Sequence, residues 1–159
     1  MDPYDIYMIA ASDSNQNVYF QVPRGDAYHS SGGSVSNVGS NITNDGYWVN
    51  AVSIDDFLQG HTKNTVDLIK IDVEGYELSV LNGATKNIMA KRISIIQFEF
   101  TQLNTTTRIF FKDFYELLSD NYLIYRLLPN DLLRIEQYNP TMDEIFGYQN
   151  YVAILKDLE

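Results

Sequence analysis

The stretch that decides the fold covers residues 68–84 and reads LIKIDVEGYELSVLNGA. Residues 66–73 form an apolar run rich in β-branched side chains, which predicts a central parallel strand buried on both faces. Residues 76–82 follow with the apolar spacing of a short helix. The carboxylates of Asp72 and Glu74 therefore come at the carboxyl end of the strand, where the chain turns into the helix.

Strands and helices alternate along the rest of the chain. Further strands are predicted at residues 4–10, 17–22, 47–54, 93–100, 122–128 and 151–155. Helices are predicted at residues 110–118, as a piece that ends near Arg92, and as a short helix through Leu58 that Asp55 and Asp56 cap. This alternation predicts a single α/β domain over residues 1–159 with a largely parallel sheet.

Four carboxylates fall at or just beyond the ends of predicted strands. They are Asp13, Asp72, Glu74 and Glu99. In open α/β sheets ligands bind outside the carboxyl ends of the strands, so these side chains are expected to gather at one edge of the sheet. A carboxylate there could accept a proton from a substrate hydroxyl, ligate a hard divalent cation or balance a cationic cofactor.

These carboxylates also have structural interpretations. Asp72 and Glu74 could cap the helix that follows them, because a carboxylate satisfies the free N–H groups of a helix and complements its dipole. Glu99 could be a surface carboxylate paired with a lysine. Gly75 fits a turn or a close approach of the backbone, and Gly83 fits a helix C-cap. The residues alone leave these alternatives open.

Composition limits the classes of function. The formal charge of −10 disfavours nucleic acid as a partner, because phosphate binding needs a basic face. The absence of cysteine excludes disulfides and thiolate metal sites. His29 and His61 have no metal-ligand partner at a usable spacing, so no metal site is expected. No apolar run reaches the length of a membrane span and no signal peptide is recognisable, which predicts a cytoplasmic protein without membrane contact.

The segment at residues 68–84 resembles the signature of the FkbM-type S-adenosylmethionine-dependent methyltransferases. The family pattern runs K-I-D-V-E-G, followed by an acidic residue, a leucine and a closing Leu-x-Gly-Ala. The matching positions are Lys70, Ile71, Asp72, Val73, Glu74, Gly75, Glu77, Leu78, Leu81, Gly83 and Ala84. Three more landmarks of the family are similar and come in the family's order: AASD at 10–13, VSIDDFL at 52–58 and IIQFEF at 95–100.

The resemblance implies a Rossmann-like class I methyltransferase sheet, mostly parallel with an antiparallel C-terminal strand. It also implies transfer of a methyl group from S-adenosylmethionine to a hydroxyl oxygen of a sugar, a glycan or a natural product. Substrate choice in such folds lies in loops, which here are expected at residues 28–46 and 101–108.

The resemblance further implies which residues form the site. The cofactor-binding residues would be Ala11, Ser12, Asp13 and Asp72, the first three beside the adenine. The catalytic residues would be Asp72, Glu74 and Glu99. The chemistry agrees with this assignment, because carboxylates stabilise a nearby sulfonium cation and can take up the one proton that the acceptor loses.

One part of the family pattern has no counterpart in the sequence. The family holds its cofactor chiefly with a Gly-rich turn after the first strand, and no G-x-G-x-x-G occurs here. We therefore expect an N-terminally truncated sheet without its first two strands, which binds S-adenosylmethionine if the missing part is supplied. The alternative is a non-catalytic remnant or binding module completed by a partner chain. A homodimer or a partner would cover the exposed sheet edge, and a metal-dependent hydrolase is a third hypothesis.

Overall fold

The structure is a computed structural model that describes residues 4–21, 34–36, 46–59 and 65–158. His29 and His61 lie outside these residues, as does most of the loop predicted at residues 28–46. Within the described part of the chain, no helix is long and apolar enough to cross a membrane.

The described residues form strands in two sheets with short helices between them. The strands are β1 (Ala10–Ser12), β2 (Gln16–Gln21), β3 (Ser34–Ser36), β4 (Gly46–Ser53), β5 (Val66–Ile71), β6 (Ile93–Phe100), β7 (Tyr122–Leu128), β8 (Asp131–Ile135) and β9 (Gln149–Leu155). The helices are α1 (Ile54–Gln59), α2 (Glu77–Asn82), α3 (Thr85–Met89), α4 (Asn104–Thr107), α5 (Phe111–Leu118) and α6 (Pro140–Asp143). The mixed α/β class expected from the sequence is confirmed.

The strands are ordered β1-β4-β2-β3 in one sheet and β5-β6-β9-β7-β8 in the other. In the five-stranded sheet β5 is parallel to β6, while β9 is antiparallel to both of its neighbours, β6 and β7. Strands β5, β6 and β7 therefore run in one direction and β9 runs in the other. The prediction of an antiparallel C-terminal strand is confirmed.

The sheet is less parallel than the sequence predicted. Among the described pairings only β1 with β4 and β5 with β6 are parallel, and the others are antiparallel. The prediction of a largely parallel sheet is therefore wrong for these residues. For the pair of β7 and β8 the physical reason is the short connection between them, since a parallel pair needs a long crossover and a tight turn produces an antiparallel hairpin. The two antiparallel pairings of β9 follow from the reversed direction of this C-terminal strand. Strand β8 and strand β3 were not predicted.

The strand that Asp72 follows, β5, lies at an edge of its sheet and not at its centre. Among the described residues β5 pairs with β6 alone, and Leu68 is 54% exposed. The prediction of a strand buried on both faces is wrong here, because an apolar run cannot distinguish a central strand from an edge strand without knowledge of its neighbours.

Strand β6 is largely buried and anchors the core. Ile96, Phe98 and Phe100 are fully buried, and the Phe98 ring stacks on Phe114 of α5 with the ring centroids 4.8 Å apart. Burying a side chain of this size contributes roughly 2 kcal/mol. The core therefore fixes the strand whose end carries Glu99.

Asp55 stands in the first turn of α1, but its carboxylate caps α3. The two oxygens accept hydrogen bonds from the backbone N–H groups of Lys86 and Asn87 at 2.9 and 3.0 Å. The side-chain amide of Asn87 donates a further bond at 2.6 Å. The N–H of Asp55 in turn donates to the carbonyl of Gly83 at 2.8 Å. Asp55 is buried and joins α1 to the segment between α2 and α3.

The cap of α1 is Ser53. Its hydroxyl oxygen accepts a hydrogen bond from the backbone N–H of Asp56 at 3.1 Å. The prediction that Asp55 and Asp56 cap this helix is wrong, because both residues already lie inside its first turn and a cap precedes the helix.

Replacing Asp55 with alanine should destabilise the fold. The substitution leaves two backbone N–H groups and one amide without their acceptor in a buried region, and we expect a loss of roughly 3 kcal/mol in the free energy of unfolding. The measurement is urea denaturation. Asp56→Ala is the matched control, because Asp56 is exposed and should cost roughly 0.5 kcal/mol. Equal losses for the two variants would contradict this role of Asp55.

Candidate functional site

A cavity of about 710 Å³ lies where β5, β6 and β7 end and β9 begins. Because β9 runs opposite to the other strands, its first residues lie at the same sheet edge as the carboxyl ends of its neighbours. The lining residues are Lys70, Asp72, Gln97, Glu99, Leu127, Leu128, Pro129, Tyr148, Gln149 and Asn150. Two of the predicted site residues, Asp72 and Glu99, share this cavity.

Asp72 forms an ion pair with Lys70. The Lys70 Nζ lies 2.9 Å from Oδ2 of Asp72, and the two side chains are 54% and 43% exposed. The hydrogen bond to the carboxylate, and then its charge, raise the pKa of Lys70. An ion pair this exposed contributes little to stability, so its main effect is to hold a cation and an anion together at the mouth of the cavity.

Glu99 is buried, with 5% of its surface exposed. Its Oε1 accepts a hydrogen bond from the hydroxyl of Tyr148 at 2.5 Å. That bond and the charge of the Glu99 carboxylate raise the pKa of Tyr148 to about 12. The alternative that Glu99 is a surface carboxylate paired with a lysine is therefore wrong: it is a buried acid that one tyrosine covers.

Glu74 follows Asp72 by two residues and is not among the residues that line the cavity, but its charge interacts with those of Asp72 and Glu99. Partial burial raises the pKa of Glu74, and the negative charges of Asp72 and Glu99 raise it further. Glu74 and Gly75 both have a positive φ, of 53° and 95°, so the turn expected at Gly75 is confirmed.

The helix α2 has no side-chain cap. Its N-cap residue is Tyr76, and no side chain accepts a hydrogen bond in the capping position. The interpretation of Asp72 and Glu74 as caps of this helix is therefore wrong. The C-cap predicted at Gly83 is confirmed, although its φ of −69° is that of an ordinary residue. Gly83 is needed for space instead, because a Cβ atom there would lie 2.0 Å from the carbonyl oxygen of Ser12.

The three acids and one lysine make this edge of the sheet electronegative. Such a site attracts a cation and can accept a proton from a neutral ligand. Within the described residues, no group of three or more His, Cys, Asp or Glu side chains is arranged to hold a metal ion.

The other predicted cofactor residues lie elsewhere. Asp13 lines a second cavity of about 510 Å³, beside Ser14, Asn15 and Asp55 among others. Ala11 packs against the core, and Ser12 contacts the corner at the C-terminal end of α2. Asp72 lies before the N-terminal end of α2, whereas Ser12 contacts the C-terminal end. The two ends of a helix of this length are about 9 Å apart. The structure does not place Asp13 in the cavity that Asp72 and Glu99 line, and the cofactor role of Ala11, Ser12 and Asp13 stays a prediction.

Sequence reasoning missed four polar residues of the cavity that Asp72 and Glu99 line: Gln97, Tyr148, Gln149 and Asn150. Gln97 precedes Glu99 by two residues on the same face of β6, and this period of two could have revealed it. Its side-chain amide lies 3.4 Å from the oxygen of Asn150. No local sequence pattern around Tyr148 and Asn150 indicates that they line the cavity. They reach the cavity because β9 pairs with β6 in a register that places Asn150 opposite Glu99.

The described residues form an α/β fold with an acidic cavity at the ends of its strands. The chain belongs to the FkbM methyltransferase family: the family model described as the Methyltransferase FkbM domain matches residues 2–127. No curated protein and no solved structure matches the chain. The resemblance found in the sequence is confirmed, and membership indicates a methyltransferase-like function.

Replacing Glu99 with glutamine should lower the pKa of Tyr148 from about 12 toward the ordinary tyrosine value of 10. The neutral amide neither attracts the hydroxyl proton as strongly nor repels the phenolate. The ring carbon signal of Tyr148, followed by NMR up to about pH 11, reports its ionisation.

Tyr138 provides the internal control for that titration. Its hydroxyl donates to Glu144 at 2.8 Å, and burial followed by this bond raises its pKa to about 12 as well. Glu99→Gln should leave Tyr138 unchanged. A titration of Tyr148 that is the same in both proteins would show that Glu99 does not hold it.

Proposed function

We propose that the chain forms the acceptor side of an S-adenosylmethionine-dependent O-methyltransferase site, centred on Glu99. The observation that carries the proposal is a buried carboxylate that opens into an acidic cavity at the strand ends. Membership of the FkbM family supports methyl transfer as the reaction.

The charge of the cavity suits the cofactor that the family implies. When bound, S-adenosylmethionine supplies an electrophilic methyl group on a positively charged sulfur. Asp72, Glu74 and Glu99 would stabilise that charge, because Lys70 balances only one of the three. We also infer a Rossmann-like sheet. The common direction of β5, β6 and β7, with β9 reversed between β6 and β7, supports this inference.

Glu99 is the residue we assign as the proton acceptor. It is buried, and its one hydrogen-bond partner among the described side chains is a neutral hydroxyl, so its charge is available to a bound ligand. Asp72 instead accepts a hydrogen bond from Lys70. Its role is to add to the negative charge of the cavity and to orient that lysine. A general base of this kind accelerates a reaction by roughly 100-fold or more.

The acceptor that this cavity favours is a neutral hydroxyl compound. Gln97, Asn150 and Tyr148 offer amide and hydroxyl groups to such a molecule, whereas the surplus of carboxylates disfavours an anionic one. A sugar, a glycan or a natural product with free hydroxyls meets this requirement. Half of the lining residues, from Leu128 onward, lie outside the part of the chain that the family model matches. We therefore propose that these five residues, together with the loops, also determine which acceptor binds.

Two expectations stay predictions. A second copy or another partner is expected to cover a sheet edge, and the exposure of Leu68 on the edge strand β5 supports this. The cytoplasmic location rests on the sequence.

The test separates cofactor binding from transfer. The chain is titrated with S-adenosylmethionine by calorimetry, and then incubated with labelled S-adenosylmethionine and a panel of methyl glycosides, with the product detected by mass spectrometry. We expect Glu99→Gln still to bind S-adenosylmethionine, but more weakly, because one of the three carboxylates that stabilise the sulfonium is lost. At a saturating concentration of S-adenosylmethionine its transfer rate should be roughly 100-fold lower, because the proton acceptor is removed.

Glu116→Gln is the control for the same chemical change on an exposed face of α5, and it should transfer at the parental rate. Unimpaired transfer by Glu99→Gln would remove Glu99 from the reaction. No heat at about millimolar cofactor would show that this chain alone does not bind the donor, and would favour the alternative of a binding module completed by a partner.

A further inference from the structure

The turn that carries Glu74 has an unfavourable backbone conformation. Glu74 and Gly75 have φ angles of 53° and 95° in succession. The left-handed region costs a residue with a side chain roughly 1 kcal/mol, and glycine adopts it freely. Gly75 adopts its positive φ without strain because it has no side chain, but the surroundings of Glu74 must hold that residue in this conformation.

Glu77 holds the turn from one side. Its Oε1 accepts hydrogen bonds from the backbone N–H groups of Val73 and Gly75, both at 3.1 Å. These two groups flank Glu74, so a single oxygen restrains the backbone before and after it. Glu77 is buried, with 1% of its surface exposed, and water does not replace these bonds easily.

The loop after β6 holds the turn from the other side. A Cβ atom at Gly75 would lie 3.1 Å from Cβ of Leu103, so Leu103 packs against the turn on this side and leaves little space for a side chain at Gly75. Leu103 is itself held by Thr101, whose hydroxyl accepts its N–H at 3.2 Å. The buried side chain of Asn104 accepts the N–H of Thr101 at 2.8 Å. This loop lies within the segment expected to contribute to acceptor choice, which stays a prediction, and its Leu103 packs against the turn.

Burying the carboxylate of Glu77 costs more free energy than the stabilisation of a helix end would explain. Among the described residues its Oε2 has no hydrogen-bond partner. Burial raises the pKa of Glu77, and the charge of Glu99 adds to this, against the bonds from the backbone N–H groups of Glu77, Gly75 and Val73. A shorter or neutral side chain would satisfy a simple cap at lower cost.

We propose that Glu77 is a positioning residue of the site: its carboxylate fixes the turn from Val73 to Gly75 and thereby keeps Glu74 close to Asp72 and Glu99. Without Glu77, the two N–H groups lose their acceptor and the turn relaxes to an ordinary conformation. Glu74 then moves away from Asp72 and Glu99. This inference goes beyond the proposed function and needs methyl transfer only to explain why the position of Glu74 matters.

The test follows the titration of Glu74 by NMR of its side-chain carboxyl carbon, without any ligand. In the parent protein Glu74 should titrate above 4.5, because it is partly buried beside two acids. Glu77→Ala should return the pKa of Glu74 toward 4.5. Glu77→Gln keeps an oxygen that can accept both N–H groups and should preserve the parental titration of Glu74.

Glu144→Ala is the matched control. Glu144 also accepts two backbone N–H groups, from Phe111 and Lys112 at 2.9 and 3.0 Å, but at the start of α5. It should leave the titration of Glu74 unchanged. An unchanged titration of Glu74 in Glu77→Ala would overturn the proposal, and so would an equal shift in Glu144→Ala.

The parent protein provides a second readout that does not depend on the folding of a variant. The amide proton shifts of Val73 and Gly75 should follow the protonation of Glu77, with a common midpoint above 4.5. Amide shifts that do not follow Glu77 would overturn the proposal. Because none of these measurements involves S-adenosylmethionine, the positioning role and the proposed methyl transfer can fail independently.

Discussion

The burial of β6 is the constraint on which the rest of the structure depends. Its aromatic residues pack against α5, and its edges pair with β5 on one side and β9 on the other. A strand held in this way cannot shift its register without exposing the core. The end of β6 therefore presents Glu99 at a fixed place, and the pairing with β9 brings Tyr148 to it.

The site concentrates negative charge where the fold can hold it. Asp72, Glu74 and Glu99 lie close together at the strand ends, which raises the free energy of the unliganded protein because like charges repel. Each acid has a different restraint. Lys70 pairs with Asp72, Tyr148 covers Glu99, and the turn that carries Glu74 is tied to Glu77. A bound cation would relieve the repulsion, which is the physical reason why we propose a positively charged methyl donor.

The two halves of the FkbM signature have different tasks in the structure. Asp72 lines the cavity, whereas Glu77 accepts the backbone N–H groups on either side of Glu74, and Gly83 leaves room for the backbone of Ser12. A similar case occurs upstream at Asp55. The sequence predicted that it caps α1, but its buried carboxylate links α1 to α3. A motif residue therefore shows its role only when its hydrogen-bond partners are known.

The amino-acid sequence was enough to predict the α/β class, the strand that precedes Asp72, the strand that carries Glu99 near its end, and membership of the FkbM family. These follow from local apolar patterns and from a contiguous motif, which need no knowledge of distant residues. Only the tertiary structure decided that β5 lies at an edge, that Asp13 lines a different cavity from Glu99, and that Tyr148 and Asn150 complete the site. Strand order and register depend on pairing between residues about fifty positions apart, such as Glu99 with Asn150, and no local pattern encodes that pairing.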